Sequence, residues 1–289
     1  MSIKLIASDM DGTLLDPRGN ITPASIDVIR RLADEGIEFL ICSGRDYLDA
    51  KDIMDGCGIR CGYICLSGAV VYDHLGEIQT EIPLTARNLL DIEKIMTEHQ
   101  VYMDILTSGR RYSTAPREEK MKEVYSFLKN KAGSSADSRE LEAAAMKRIE
   151  GTAFINSLRD LPQTETIFKI CGNGLPVDKV ITLKEAFSVC QDLAAASSFP
   201  TNIELTNYGA QKGPALKAYA ERKGISLNDV MVLGDSDNDL SMFTPEFGWT
   251  VAMENSMPCI LDAAKYRTKS NAEDGVAWAI KNFVFREKI

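Results

Sequence analysis

Residues 3–8, Ile3-Lys4-Leu5-Ile6-Ala7-Ser8, form a short apolar run, and Asp9-Met10-Asp11-Gly12-Thr13 follows at once. A brief aliphatic run broken by an Asp-Gly pair reads as a buried strand that ends in a turn. Strands buried on both faces belong to parallel sheets. In open parallel sheets, ligands bind beyond the carboxyl ends of the strands. What Asp9 and Asp11 do therefore depends on whether the chain supplies more strands of this kind.

Outward from that stretch, Thr22-Pro23 has the form of a helix N-cap with proline at the first helical position. Ile26, Ile29, Leu32 and Ala33 recur at helical spacing, and Gly36 stops the helix. Residues 37–42 (IEFLIC) are a second apolar run, residues 46–55 a second helix, and Tyr63–Leu66 a third run. The rhythm returns late in the chain. A helix is expected over about Pro214–Lys223 and a strand over Val230–Leu233. A helix carrying Leu240 and Met242 follows, then a strand over Trp249–Met253 and a last helix from Gly275 to Phe285.

Strands alternating with helices predict a parallel sheet covered on both faces. The middle differs: it has more charge, more helix formers and fewer apolar runs, and Lys129–Leu141 reads as an exposed polar segment. The predicted fold class is α/β, a Rossmann-like parallel sheet with helices on both faces and an inserted α+β domain. Residues 1–83 and 196–289 are assigned to the sheet domain and residues 84–195 to the insert.

The 289 residues are 45% hydrophobic, enough for a sizeable core. A net charge of −9 disfavours nucleic acid and anionic membrane as partners. No apolar run approaches the ~20 residues of a membrane helix, and the N-terminus lacks the pattern of a signal peptide. The seven cysteines include the cluster Cys57, Cys61 and Cys65, whose spacing fits neither a zinc knuckle nor an iron–sulfur motif. They read as buried thiols of a cytoplasmic protein.

Two carboxylates two residues apart at one strand end are costly to bury unless a cation neutralises them. Magnesium suits such oxygen ligands, although a plain Asp-Gly turn has the same sequence. A second acidic stretch, Gly234-Asp235-Ser236-Asp237-Asn238-Asp239, also follows an apolar run. Asp235, Asp237, Asp239 and Glu246 match calcium-loop ligand positions. Leu240 stands where that loop needs glycine, and a strand-like run precedes it rather than a helix.

Ser43-Gly44-Arg45 ends the second run with a hydroxyl, backbone N–H groups and a cation, all suited to an oxyanion, or forms an ordinary strand-to-helix turn. Lys212 opens a helix where an anion would sit, or is one more solvated lysine. The common nucleotide-binding glycine loops are absent.

Together these four motifs resemble the haloacid dehalogenase superfamily. Asp9-Met10-Asp11-Gly12-Thr13 is similar to its DxDGT signature, Ser43-Gly44-Arg45 to the second motif, Lys212 to the third and Gly234–Asp239 to the fourth. The insert between the second and third motifs resembles the type-two cap of the Cof-like phosphatase branch. Ala252-Met253-Glu254-Asn255 and Asn271 through Val276 are similar to that branch as well.

The resemblance implies a magnesium-dependent phosphatase acting on small phosphorylated metabolites such as sugar phosphates, with the cap closing as a lid. It implies that Asp9 attacks phosphorus and that Asp11 is the acid and base. Ser43 and Gly44 would hold the phosphoryl group, and Lys212 would neutralise charge. Asp9, the Asp11 carbonyl and Asp235 would hold magnesium, supported by Asp239 and Asn238. Arg45 and Asn255 would line the substrate pocket. Ser67-Gly68-Ala69 departs from the frequent Asn-Gly-Ala and leaves contacts there undefined.

A phosphosugar mutase on the same scaffold and a non-catalytic phospholigand-binding regulator are the competing functions. The substrate and the oligomeric state are not legible. His74 and His99 lack any ligand spacing.

Overall fold

The computed structural model describes residues 3–132 and 137–287. The strands, in chain order, are β1 (Leu5–Ser8), β2 (Glu38–Cys42), β3 (Gly62–Cys65), β4 (Val70–Tyr72) and β5 (Ile78–Glu81). Next come β6 (Asp104–Thr107), β7 (Arg111–Ser113), β8 (Ala153–Phe154), β9 (Ile167–Gly172), β10 (Leu193–Ala196) and β11 (Ile203–Asn207). The last three are β12 (Val230–Gly234), β13 (Trp249–Ala252) and β14 (Tyr266–Arg267). The principal helices are α1 (Pro23–Asp34), α2 (Tyr47–Gly56), α3 (Ala86–Glu98), α4 (Arg117–Ala132), α5 (Ser138–Ile149), α6 (Val177–Phe187) and α7 (Lys212–Arg222).

The chain divides into two compact units, Met1–Ile82 with Gly209–Ile289, and Pro83–Tyr208. Residues 196–208, which the sequence reading gave to the first sheet, carry β11. That strand pairs with β9 and β10 in the other sheet.

The first unit holds an eight-stranded sheet in the order β14-β13-β12-β1-β2-β3-β4-β5. From β14 through β3 every pairing is parallel; β4 and β5 add an antiparallel edge that the sequence reading did not foresee. All residues of β1 and β12 are buried, which is why their sequences are continuous apolar runs. Leu5, Leu40, Ile64, Leu216 and Val232 belong to one core cluster.

Thr22 caps α1 by accepting a hydrogen bond from the Ser25 N–H, with Pro23 at the first helical position. The chain leaves β1 towards β2 and β3 on one side and returns to β12 on the other. The carboxyl ends of β1 and β12 therefore flank the reversal of strand order, where open α/β sheets form their ligand crevice.

The second unit is α+β. Its six-stranded sheet runs β10-β11-β9-β6-β7-β8 and is antiparallel except for β7 with β8. Ile92 and Met96 of α3 and Leu183 and Phe187 of α6 cluster with Ile105, Ile170 and Leu205 of the sheet. The buried β9 shows that the middle of the chain has an internal strand where few apolar runs were read; Lys169 interrupts its apolar pattern.

Within the polar stretch 129–141, residues 133–136 lie outside the described residues. On either side of them α4 ends and α5 begins. Cys42, Cys61, Cys65 and Cys171 are buried, and Cys57, Cys190 and Cys259 are half-buried. Among the described residues no helix is long and apolar enough to cross a membrane.

Candidate active site

Asp9 follows the last residue of β1, and its N–H donates to the Leu233 carbonyl of β12 at 3.0 Å. This continuation of the parallel ladder sets the end of β1 beside Gly234-Asp235 at the end of β12. Gly12, with φ of +85°, lets the turn pass over the Asp235 carboxylate. A Cβ at that position would lie 2.3 Å from Asp235 Oδ2, so no side chain fits there. Thr13 Oγ1 donates to Asp235 Oδ1 at 2.9 Å, tying the two acidic stretches together.

Lys212, the first residue of α7, is fully buried. Its Nζ donates to Asp9 Oδ1 and Asp239 Oδ1, both at 2.6 Å, and to Asn238 Oδ1 at 3.1 Å. The solvated-surface reading of this lysine is thus excluded. Gly213 lets α7 approach the short 3₁₀ turn Asp237–Met242, because a Cβ there would lie 1.8 Å from the Ser241 carbonyl oxygen. The sequence reading expected an ordinary helix over that turn. Asp239 Oδ2 accepts from the N–H groups of Asp235 (2.9 Å) and Ser236 (3.1 Å), so Asp239 orients the loop as well as the lysine.

One carboxylate oxygen each of Asp9, Asp235 and Asp239 can be chosen so that all three lie within 4.8 Å of one another. Burial and the neighbouring carboxylates raise the Asp9 carboxyl well above the usual aspartate range, although Lys212 opposes them. Burial first, and Asp239 second, push Asp235 up to about 7. For Lys212 burial lowers the pKa, but Asp239 and Asp9 outweigh it and the ammonium is held charged.

Asp9 Oδ2 and Asp235 Oδ2 accept no hydrogen bond among the described residues. Hard oxygen donors in an electronegative pocket fit a divalent cation such as magnesium. The calcium-loop reading fails on two counts: Val230–Gly234 is a strand, and Glu246 pairs with Lys217 at 2.7 Å on the surface.

Ser43 is buried at the end of β2, and its Oγ accepts from the Arg45 N–H at 3.1 Å. The Ser43 carbonyl accepts from the Ser67 N–H at 3.0 Å, and the Arg45 carbonyl from the Leu66 N–H at 2.9 Å. Gly44 lies between these anchored residues. Leu66, Ser67 and Gly68 have φ of 50°, 60° and 111°, a left-handed run that brings the third strand end against the second. Gly68 is required because a Cβ would lie 2.4 Å from the Gln211 backbone.

The two residues expected to line the pocket, Arg45 and Asn255, both bond to the turn that follows β1. Arg45 turns to Asp11: Nε donates to Oδ2 at 2.6 Å and Nη2 to Oδ1 at 2.8 Å. The Asp11 side chain accordingly stands outside the three-carboxylate group. Asn255 acts as a clamp, its Nδ2 donating to the Gly12 carbonyl at 2.8 Å and its Oδ1 accepting from the Asn271 N–H at 2.9 Å. Asn271 Nδ2 in turn donates to the Leu15 carbonyl at 2.8 Å.

Asn271 and the Thr13–Asp235 bond went unassigned a role in the sequence. Their only signal there is membership of motifs whose partners lie more than 200 residues away. His74 is exposed and His99 half-buried, away from these residues in sequence.

The sequence model of one family, described as haloacid dehalogenase-like hydrolase, matches residues 6–280. The phosphatase YwpJ of Bacillus subtilis is 30% identical over 98% of this chain and 100% of its own. The 5-amino-6-(5-phospho-D-ribitylamino)uracil phosphatase YwtE of the same organism is 32% identical over 96% and 97%. Among solved structures, a haloacid dehalogenase-like hydrolase from B. subtilis superposes with a TM-score of 0.84 at 30% identity, covering 96% of this chain and 99% of that one.

Proposed function

The chain belongs to the haloacid dehalogenase-like hydrolase family and is a phosphoric monoester hydrolase, and from that premise we propose that it is a magnesium-dependent phosphatase that works through an aspartyl-phosphate on Asp9. Its substrates are small phosphorylated metabolites, with sugar phosphates the leading class. The observation that carries this reading is the buried Lys212 ammonium held between Asp9 and Asp239. Around it, the three-carboxylate group offers a cation site.

Asp9 and Asp235 would hold magnesium, together with the Asp11 carbonyl and with Asp239 behind them. Bound there, the ion supplies positive charge that lets one anion approach another. Asp9 needs no general base to become a nucleophile once it is ionised. Its carboxylate oxygen forms a bond to phosphorus as the bond to the ester oxygen breaks, and Asp11 gives that oxygen a proton. In the second step Asp11 takes a proton from water while the water oxygen attacks phosphorus. The Asp9–phosphorus bond then breaks and phosphate leaves.

Lys212, Ser43 and the Gly44 N–H neutralise charge on the phosphoryl oxygens throughout, which is the main task in phosphoryl transfer. The relative that acts, by its name, on a phosphoribityl compound supports a small polyol-type phosphate as substrate.

Purified protein is expected to hydrolyse p-nitrophenyl phosphate with magnesium and to lose the activity in a chelator. Asp9→Asn should reduce turnover by roughly 10⁴-fold or more with an unchanged circular dichroism spectrum. Wild-type-like rates from that variant would remove Asp9 from the nucleophile role.

A further inference from the structure

Asp11 lies two residues from Asp9, close enough in sequence for its carboxylate to have joined the acidic group at the end of the sheet. Instead both of its oxygens accept from Arg45 in a fork, at 2.6 and 2.8 Å. The pair is three-quarters shielded from solvent, with side-chain exposures of 24% for Arg45 and 25% for Asp11. A two-point contact between planar groups fixes the orientation of the carboxylate as well as its distance, which a lysine cannot do. Arg45 is itself rigid at the backbone, its N–H bound to Ser43 Oγ and its carbonyl to the Leu66 N–H.

We propose that Arg45 is a positioning residue for Asp11: its fork keeps that carboxylate off the cation and in the orientation from which it exchanges a proton with the leaving oxygen. This inference rests on the phosphatase reading. It separates the two aspartates of the turn into different tasks, Asp9 facing Lys212 and the cation, Asp11 facing a guanidinium. In the first half-reaction Asp11 carries its proton on one oxygen, turned from Arg45 to the departing oxygen, while the other oxygen stays bound to the guanidinium, and the proton passes across as the ester bond breaks. The carboxylate so formed is held by Arg45 until water returns a proton to it. Substrate binding does not require this role of Arg45; proton delivery does.

The test compares two esters. p-Nitrophenolate leaves without help, whereas an alkoxide from a sugar phosphate or glycerol phosphate needs the proton. Arg45→Gln should lower kcat for the alkyl ester by about 10- to 100-fold, within the range of general acid catalysis. It should lower kcat for p-nitrophenyl phosphate only a few-fold, with KM for both little changed. Adding Arg45→Gln to Asp11→Asn should have no further effect on the alkyl ester, because the two act as one unit.

Equal losses on both esters, a rise in KM with kcat intact, or multiplicative effects in the double variant would overturn the proposal in favour of direct substrate contact. If Arg45→Gln loses its native circular dichroism spectrum, Arg45→Lys runs the same cycle, with the single-point donor expected to give an intermediate leaving-group effect. Absence of wild-type turnover on either ester would defeat the phosphatase reading itself. Turnover with an additive cycle would defeat only the role given to Arg45.

Discussion

Lys212 of the sheet unit and Lys169 of the insert are both buried, and their surroundings differ. Lys212 of the sheet unit bonds to Asp9, Asn238 and Asp239, with Asp235 beside them; the buried carboxylates outnumber the ammonium. Lys169 of the insert, on β9, pairs with Glu204 of β11 at 2.7 Å, and Glu204 is also bound by Ser198 and Asn202. At Lys169 the ammonium faces the Glu204 carboxylate, which takes neutral donors as well. The arrangement at Lys212 leaves negative charge uncompensated by the protein. A buried excess of that kind is unfavourable unless something outside the chain completes it. The contrast separates an ion pair within the insert's sheet from a carboxylate cluster that could hold a metal ion.

Lys212→Met is the most severe way to press this contrast. Removing a donor aimed at the transferring phosphoryl group should lower kcat by roughly 10²–10³-fold. It also leaves Asp9 and Asp239 buried without their cation, a loss of about 3–5 kcal/mol. Urea unfolding with and without magnesium should show part of that stability returning with the ion.

Lys169→Met should destabilise by a similar amount, about 3–5 kcal/mol, because it too takes the ammonium away from a buried carboxylate. Magnesium should return none of it. Equal recovery in both variants would erase the distinction between the two lysines.

A smaller effect is expected from pH. The folded-state pKa of Asp235, about 7, lies above its unfolded value. Between the two values the native state binds more protons, so the metal-free protein should lose stability as pH rises through that range. Magnesium competes with the proton and binds best above pH 7. Its stabilisation, about 2.7 kcal/mol at a hundredfold excess over Kd, should be larger at pH 8 than at pH 5.5. Thermal denaturation at the two pH values measures this, and a magnesium shift that is larger at pH 5.5 would contradict it.

Much of the sheet unit was legible because its signals are local. The runs at β1, β2, β3 and β12 are buried on both sides and read as apolar without interruption. Both acidic motifs and Ser43-Gly44-Arg45 follow one of those runs directly, so their place at the carboxyl edge could be inferred; Lys212 follows none of them. The insert was harder to read. Its strand β9 contains Lys169, and its strands β7 and β8 are only three and two residues long. The far boundary was set at residue 195 on charge and composition, which do not register β11, Ile203–Asn207, as a strand of the insert's sheet. An apolar run does not specify which sheet it joins.

From the order of residues alone came the α/β class, the inserted α+β domain, the four motifs and the aspartates expected to carry chemistry. Only the tertiary structure decided which of those side chains face one another. Strand register and the close approaches at Gly12 and Gly213 bring Asp235, Asp239 and Lys212 against Asp9. The direction of individual side chains turns Arg45 onto Asp11 and Asn255 onto the Gly12 carbonyl. The physical reason is a difference in range. Burial and turn chemistry act over a few neighbouring residues, whereas an ion pair across 34 residues, or an amide clamp across 243, exists only once the sheet has aligned them.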